Sequence, residues 1–327
     1  MSDLYTRLAQ YAAQDVLPTH DDLLALVDAA LSANEAYCTP LLDFTAQEQL
    51  PLVVIPDLHA RRDFLLHILA YTLPQYDASV LTLLAQARLR VVCVGDLFHS
   101  ERRGYERWLL AYEEYERGEV SGAAMTAEMI ENLSLLQMIA TLQVQFPQHF
   151  FFLKGNHENI LNKTEGGDYS FRKFALEGEQ VLAFMEDVYG DAVPHVISLW
   201  EHSLPLCAAF PRCVVSHAEP QRAFSKKELS RGGASVVEAL TWTRNDEAEA
   251  GSVEATLTAL LGASAALQAV WLSGHRPVAG RFALRQDGRL VQLHNPRSEQ
   301  FALVQPDQPF NPDTDIVVLD QLGNESV

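Results

Sequence analysis

Apolar runs that end on polar, chemistry-bearing residues recur along the chain. Val53-Val54-Ile55 runs through Pro56 into Asp57-Leu58-His59, and Val91-Val92-Cys93-Val94-Gly95 runs into Asp96-Leu97-Phe98-His99. Phe150-Phe151-Phe152-Leu153 leads to Gly155-Asn156-His157-Glu158, Cys213-Val214-Val215-Ser216 to His217, and Val270-Trp271-Leu272-Ser273-Gly274 to His275. Short continuous apolar runs of this kind read as buried strands. Open α/β sheets carry their sites outside the carboxyl ends of such strands. One strand ending on a metal-binding residue is ordinary, but five in one chain form a set.

Between these runs the apolar spacing turns helical. Residues 1–50 read as helical, with Leu4, Leu8 and Tyr11 in one stripe. Leu23, Leu24, Val27, Ala30 and Leu31 make another, capped near 19–22 and bounded by Pro18 and Pro40. Helices over 61–73 and 79–87 give a βαβ step into a strand at 90–95. Trp108, Leu109 and Tyr112, then Met129, Ile130, Leu133, Leu136, Met138, Ile139 and Leu142, predict helices over 101–147, broken at 118–122. That insert is either a helical cap beside the site, narrowing its substrate range, or a scaffold pair. A polar loop is expected over 162–170 and a helix over 171–189. Strands are expected at 193–200, 206–210 and 212–216, and later near 279–284, 290–294, 301–304 and 315–319, all in a second sheet. The chain thus divides into a helical extension (1–50), a main domain (51–320) and a frayed tail (321–327).

Composition narrows the picture. At 327 residues and 48% hydrophobic, the chain can bury a sizeable core. No run of 18 apolar residues occurs, and Met1-Ser2-Asp3-Leu4 does not open a signal peptide. Cys38, Cys93, Cys207 and Cys213 have no Cys-x-x-Cys spacing, which points to reduced thiols and a cytoplasmic location. A formal net charge of -19 argues against nucleic acid as a partner. It does not argue against a phosphorylated substrate, because bound cations reverse the local field.

Taken in order, the motifs Asp57-Leu58-His59, Gly95-Asp96, Gly155-Asn156-His157-Glu158, His217 and Gly274-His275 resemble those of the calcineurin-like metallophosphoesterases. The resemblance runs from about Leu52 to His275. It implies two mixed β-sheets packed face to face and flanked by helices, an α/β (α+β sandwich) fold. Details bring the chain nearest to the bacterial branch of the protein phosphatases and the diadenosine-tetraphosphate hydrolases. Gly274-His275-Arg276-Pro277 is similar to their Gly-His-x-Pro, and Thr241-Trp242-Thr243-Arg244 to a Trp-x-Arg segment whose arginine contacts phosphate. Departures are equally specific. The family form Gly-Asp-x-His-Gly has Pro56 and Ala60 here in place of its glycines. His99 stands where protein-phosphatase-like members have an aspartate, and Ser100 where they have arginine.

The resemblance implies a pair of cations: Asp57, His59 and Asp96 for one, and Asp96, Asn156, His217 and His275 for the other, with Asp96 bridging. Mixed oxygen and imidazole donors suit manganese, iron or zinc better than calcium. Two such cations support hydrolysis of a phosphomonoester, in a phosphoprotein or a small molecule, by metal-bound hydroxide. His157 would protonate the leaving oxygen, with His99 beside it as the alternative acid. Arg244 would grip the phosphate; Arg102 or Arg103 could supply a further contact, or be plain surface arginines. Hydrolysis of dinucleoside polyphosphates or other diesters is the rival enzyme reading, and a scaffold that has lost its chemistry is the non-enzyme one. No membrane association is expected.

Overall fold

The strands alternate their side chains between two environments, and this alternation builds four layers. The computed structural model describes residues 2–35, 37 and 39–319. In chain order its strands are β1 (Leu41–Asp43), β2 (Leu52–Ile55), a small hairpin of β3 (Thr72–Leu73) and β4 (Ala78–Ser79), β5 (Arg90–Cys93), β6 (Phe150–Phe152), β7 (Cys207–Ala209), β8 (Cys213–Ser216), β9 (Val270–Ser273), β10 (Ala283–Arg285), β11 (Leu290–Gln292), β12 (Gln300–Val304) and β13 (Ile316–Val318). Among the described residues these form a five-stranded sheet, β13-β12-β2-β5-β6, and a six-stranded sheet, β1-β7-β8-β9-β11-β10.

Because side chains alternate across a strand, each sheet has two faces to bury. Val54, Val92, Phe151 and Ala302 of the first sheet meet Ala208, Val215, Leu272 and Val291 of the second in one apolar cluster. The other face of the first sheet, with Val53, Ile55, Val91, Cys93 and Phe152, packs under the N-terminal two-thirds of the helices, including Val27, Leu133, Phe184 and Trp200. Cys207, Ala209, Val214 and Trp271 turn outward onto Leu229, Leu240, Val253 and Leu257. The chain is therefore a helix–sheet–sheet–helix stack with two mixed sheets, as the sequence motifs implied.

Several elements depart from expectation. Residues 193–200 lie in a helix, Ala192–Ser203, rather than a strand. Its buried Val193, Ile197 and Trp200 follow helical spacing, and Pro194 falls in the first turn, where its missing N–H costs nothing. Within the N-terminal extension, Leu41–Asp43 is a strand that pairs in parallel with β7. β12 and β13 join the first sheet, not the second, with β12 antiparallel beside β2. The helix expected from 171 begins at Glu177, whose carboxylate accepts from the N–H groups of Lys173, Phe174 and Ala175 and holds that stretch as a turn. The helix Ala123–Gln145 is buried on nearly every side through its second half and packs there as a core strut. Cys38 and the tail from Gln321 lie outside the described residues. Among those described, Cys93, Cys207 and Cys213 are buried free thiols, and no helix is long and apolar enough to cross a membrane.

Candidate metal centre

β2, β5 and β6 run parallel to one another, as do β8 and β9, so their carboxyl ends open together at one rim of the stack. Asp57 and His59 follow β2, Asp96 follows β5, Asn156 follows β6, His217 follows β8 and His275 follows β9. Sheet-like pairing continues past β2 and β5: Val94 N–H donates to Ile55 O (3.0 Å), His59 N–H to Asp96 O (2.8 Å) and Ala60 N–H to Leu97 O (2.8 Å). The loop thereby makes its turn with Pro56 and Ala60, and no glycine, on either side of Asp57-Leu58-His59. His59 (φ 44°) and Ala60 (φ 57°) are held left-handed instead, as are Asp96 (54°), Glu101 (53°) and His275 (64°). Such backbone costs roughly 1–3 kcal/mol per residue and persists only where surroundings impose it.

The glycines that remain have a steric reason. A Cβ on Gly274 would lie 1.8 Å from Asp57 Oδ1, and one on Gly155 2.3 Å from Asp96 Oδ1. Both carboxylates are packed against bare backbone. Asp57 accepts from His275 N–H (2.9 and 3.1 Å to its two oxygens), and Asp96 Oδ1 from His157 N–H (3.0 Å). The fully buried Glu158 ties the loops together, accepting from the N–H groups of Asp96 (3.0 Å), Leu97 (2.7 Å) and Gly155 (2.6 Å).

Two clusters of donor atoms share Asp96. His217 Nε2 lies 3.0 Å from Asn156 Oδ1, 3.1 Å from His275 Nδ1 and 3.5 Å from Asp96 Oδ1. On the other side, His59 Nε2 lies 3.4 Å from Asp96 Oδ2 and 4.0 Å from Asp57 Oδ2. The remaining ring nitrogens are spent on main-chain carbonyls: His217 Nδ1 on Val94 O (3.1 Å) and His59 Nδ1 on Phe98 O (3.3 Å). That fixes each tautomer and leaves Nε2 as a bare donor, the usual way a protein orients a metal-binding imidazole. Donors around a tetrahedral cation at 2.0–2.1 Å lie roughly 3.3–3.4 Å apart, close to these separations.

The electrostatics fit the same occupant. Burial pushes Asp96 well above the usual carboxylate range, and the charges of Asp57 and Glu158 add to it. A cation would reverse that. Burial holds His59 down to about 3 and His217 down to about 4, so both rings are neutral and available as ligands at ordinary pH. His275 is lowered by burial and by His217, and its Nε2 is buried without a hydrogen bond. These residues therefore fit cations, and Asp57–Asp96–His217, His59–Asp96–His157 and Asp57–His59–His294 each present three donor atoms within 4.8 Å of one another.

His157 lies at the edge of this centre, its ring over Phe171 (4.7 Å between centroids) and its Nε2 3.8 Å from Asp96 Oδ2. His99 is 5.4 Å from it, ring to ring, but faces elsewhere. Its Nδ1 accepts from Glu101 N–H (2.9 Å), its Nε2 points at Glu177 (3.6 Å), and its ring stacks on Trp108. Asn132 and Glu128 of the buried strut accept from the N–H groups of His99 (2.7 Å) and Ser100 (2.8 Å), fixing the loop after β5 from beneath. The arginines are less gathered. Arg103 is engaged by Glu131 and by His59 O, Arg102 is exposed with no partner among the described residues, and Arg244 is exposed on the turn after the helix Ala234–Thr241. Three residues at the centre went unread in the sequence: His294, after β11; Glu101, whose carboxylate lies 3.6 Å from His59 Nε2; and Lys173, which pairs with Glu101. His294 follows the same pattern as the other candidate donors, since it closes the run Leu290-Val291-Gln292-Leu293, apolar but for Gln292.

No protein-family model and no curated protein matches the chain. Among solved structures it is similar to a protein serine/threonine phosphatase from Saccharomyces cerevisiae with similarity to human phosphatase PP5, at 14% identity and a TM-score of 0.57, over 95% of this chain and 93% of that one. A cold-active protein tyrosine phosphatase overlaps more loosely, at 14% identity and a TM-score of 0.47 over 81% of this chain and 75% of that one. The first likeness extends along almost the whole of both chains and shows a shared fold.

Proposed function

We propose that this chain is a phosphatase that depends on two metal ions and hydrolyses phosphomonoesters, in a phosphoprotein or a small molecule. The observation that carries the reading is Asp96, whose two carboxylate oxygens face two separate donor clusters. Asp57, His59 and Asp96 would hold one cation, and Asp96, Asn156, His217 and His275 the other. The donor set suits manganese, iron or zinc. Such a pair supplies Lewis acidity and a nucleophile at neutral pH.

The chain's own residues do the rest. His157 is fixed through its N–H on Asp96 and its ring on Phe171, with its side chain only partly open. Burial and the neighbouring His59 and His99 rings hold it well below the usual imidazole range, so it delivers a proton to the leaving oxygen only after taking one up as the anionic substrate arrives. His99 has both nitrogens directed away and positions its neighbours instead. Arg244, whose guanidinium has no partner among the described residues, and the half-exposed Lys173 beside Glu101 supply positive charge to the substrate phosphate. Reduced buried thiols and an acidic surface fit a cytoplasmic protein that does not bind nucleic acid.

The test is a panel assay with manganese present, comparing p-nitrophenyl phosphate, its bis-ester, a phosphopeptide and diadenosine tetraphosphate. Hydrolysis of the monoester or the phosphopeptide, abolished by a chelator and restored by manganese, is expected. Turnover of the dinucleotide alone would move the assignment to the anhydride hydrolases, and no turnover with no bound metal would remove it.

A further inference from the structure

β11 lies beside β9 in parallel, with Gln292 level with Ser273. Two residues beyond Ser273 stands His275; two residues beyond Gln292 stands His294. The sheet therefore delivers a second imidazole to the same rim. His294 is wholly buried, and among the described residues neither of its ring nitrogens finds a partner in good hydrogen-bond geometry. A buried imidazole whose two nitrogens both face carboxylates without a well-formed hydrogen bond is uncommon, because buried polar groups are normally paired. Its surroundings are not neutral packing. Nδ1 is 3.5 Å from Asp57 Oδ2, Nε2 is 3.2 Å from Glu101 Oε2, and the ring lies 5.3 Å from that of His59.

The geometry points to His294 as a further protein ligand of the cation held by Asp57 and His59, with Glu101 accepting from its second nitrogen. This assignment rests on the metal reading proposed above. Nδ1 joins Asp57 Oδ2 and His59 Nε2 in one group of donors. Nε2–H then faces Glu101, the carboxylate partner that metal-bound imidazoles habitually have. Lys173 and the His59 ring hold Glu101 from its other side. With Asp96, the first cation gains four protein ligands, two nitrogens and two oxygens, and so matches the second in number. A site of that composition selects a transition metal and releases it slowly; a three-ligand site would exchange it with solvent more freely.

The test uses the full chain and reads metal rather than turnover. Manganese and cobalt(II) binding would be measured by equilibrium dialysis with elemental analysis, and cobalt additionally by visible absorption. Wild type is expected to bind two ions. His294→Ala is expected to weaken one of them by at least about tenfold and leave the other at wild-type affinity, with Glu101→Gln giving a smaller loss at the same site. Retention of both ions at wild-type affinity in His294→Ala would overturn this assignment and leave the proposed function standing. A wild-type chain that binds no ion would overturn both. Should His294→Ala fail to fold, His294→Gln gives the same comparison. A crystal structure of wild type loaded with zinc also decides directly: a cation about 2.0–2.1 Å from Nδ1 supports the assignment, and one beyond about 3 Å defeats it.

Discussion

Gly274→Ala tests how closely the centre is packed. The added methyl carbon would stand 1.8 Å from Asp57 Oδ1 and 2.8 Å from both Asp57 Cγ and Val94 Cγ2. Close carbon–oxygen approaches in proteins stop at roughly 3.3 Å, so the carboxylate must retreat by about 1.5 Å. Metal–ligand distances in a well-formed site lie within about 0.2 Å of their standard values, far less than such a retreat. Asp57 also cannot retreat freely, because both of its oxygens accept from His275 N–H and the residue is fully buried. The overpacking itself should cost about 1–3 kcal/mol of stability. The expected result is a folded protein with a lower melting temperature, loss of the cation at Asp57 and His59, and little phosphatase activity. Gly280→Ala is the control, since a Cβ there meets nothing within 4 Å. Metal content would be measured by elemental analysis after dialysis, and stability by thermal melting. If Gly274→Ala keeps both ions and wild-type turnover, Asp57 is not a ligand held by that packing and the argument fails.

Other outcomes follow from the same geometry. His157→Asn should lower turnover by about 10²–10⁴-fold while leaving metal content nearly intact; loss of metal would make His157 a ligand, as its place near His59 and Asp96 also allows. Glu201 is fully buried, and burial pushes its carboxyl up from 4.5 to about 8. The folded chain then keeps a proton that the unfolded chain has released, so the stabilisation is complete below about 4.5 and lost as pH rises through about 8. Between pH 6 and pH 9 that loss is ~2–3 kcal/mol, and Glu201→Gln should remove it from the pH dependence of urea melts; an unchanged pH slope would refute the assignment. Chelation should lower the melting temperature of wild type, because ions at about 100 times their Kd add ~2.7 kcal/mol. It should have far less effect on Gly274→Ala, and equal shifts in both would count against the cations as structural ties.

The strands that carry the site were legible because each is an apolar run cut short by a donor, a local signal. Asp57, Asp96, Asn156, His217 and His275 were readable for that reason. What was missed depended on distant parts of the chain. Val193, Val196, Ile197 and Trp200 satisfy a strand's run and a helix's stripe at once, and packing against the helices His20–Glu35 and Glu177–Tyr189 chooses the helix. The residues of β12 read correctly as a strand, but its place beside β2 is a non-local pairing that no window reveals. His294 was hidden because the apolar–polar run was read through to 294, whereas β11 ends at Gln292 and frees the imidazole. Glu101 follows no apolar run; a left-handed residue brings its carboxylate inward.

The donors are divided between the sheets: those after β2, β5 and β6 hang from one, and those after β8 and β9 from the other. The sheets are also interlaced, since β1 at the front of the chain completes the second and β12 at the back completes the first. No cut in the sequence yields two independent modules, each with its own sheet. A folding intermediate with only the first sheet assembled offers Asp57, His59, Asp96 and Asn156, and one with only the second offers His217, His275 and His294, so the proposed second shell stays open in both, as does the first once His294 is counted in it. On the proposed assignment, full uptake of both cations would signal that docking has finished, and a nascent chain would not hold the pair until its last strands had emerged and threaded home.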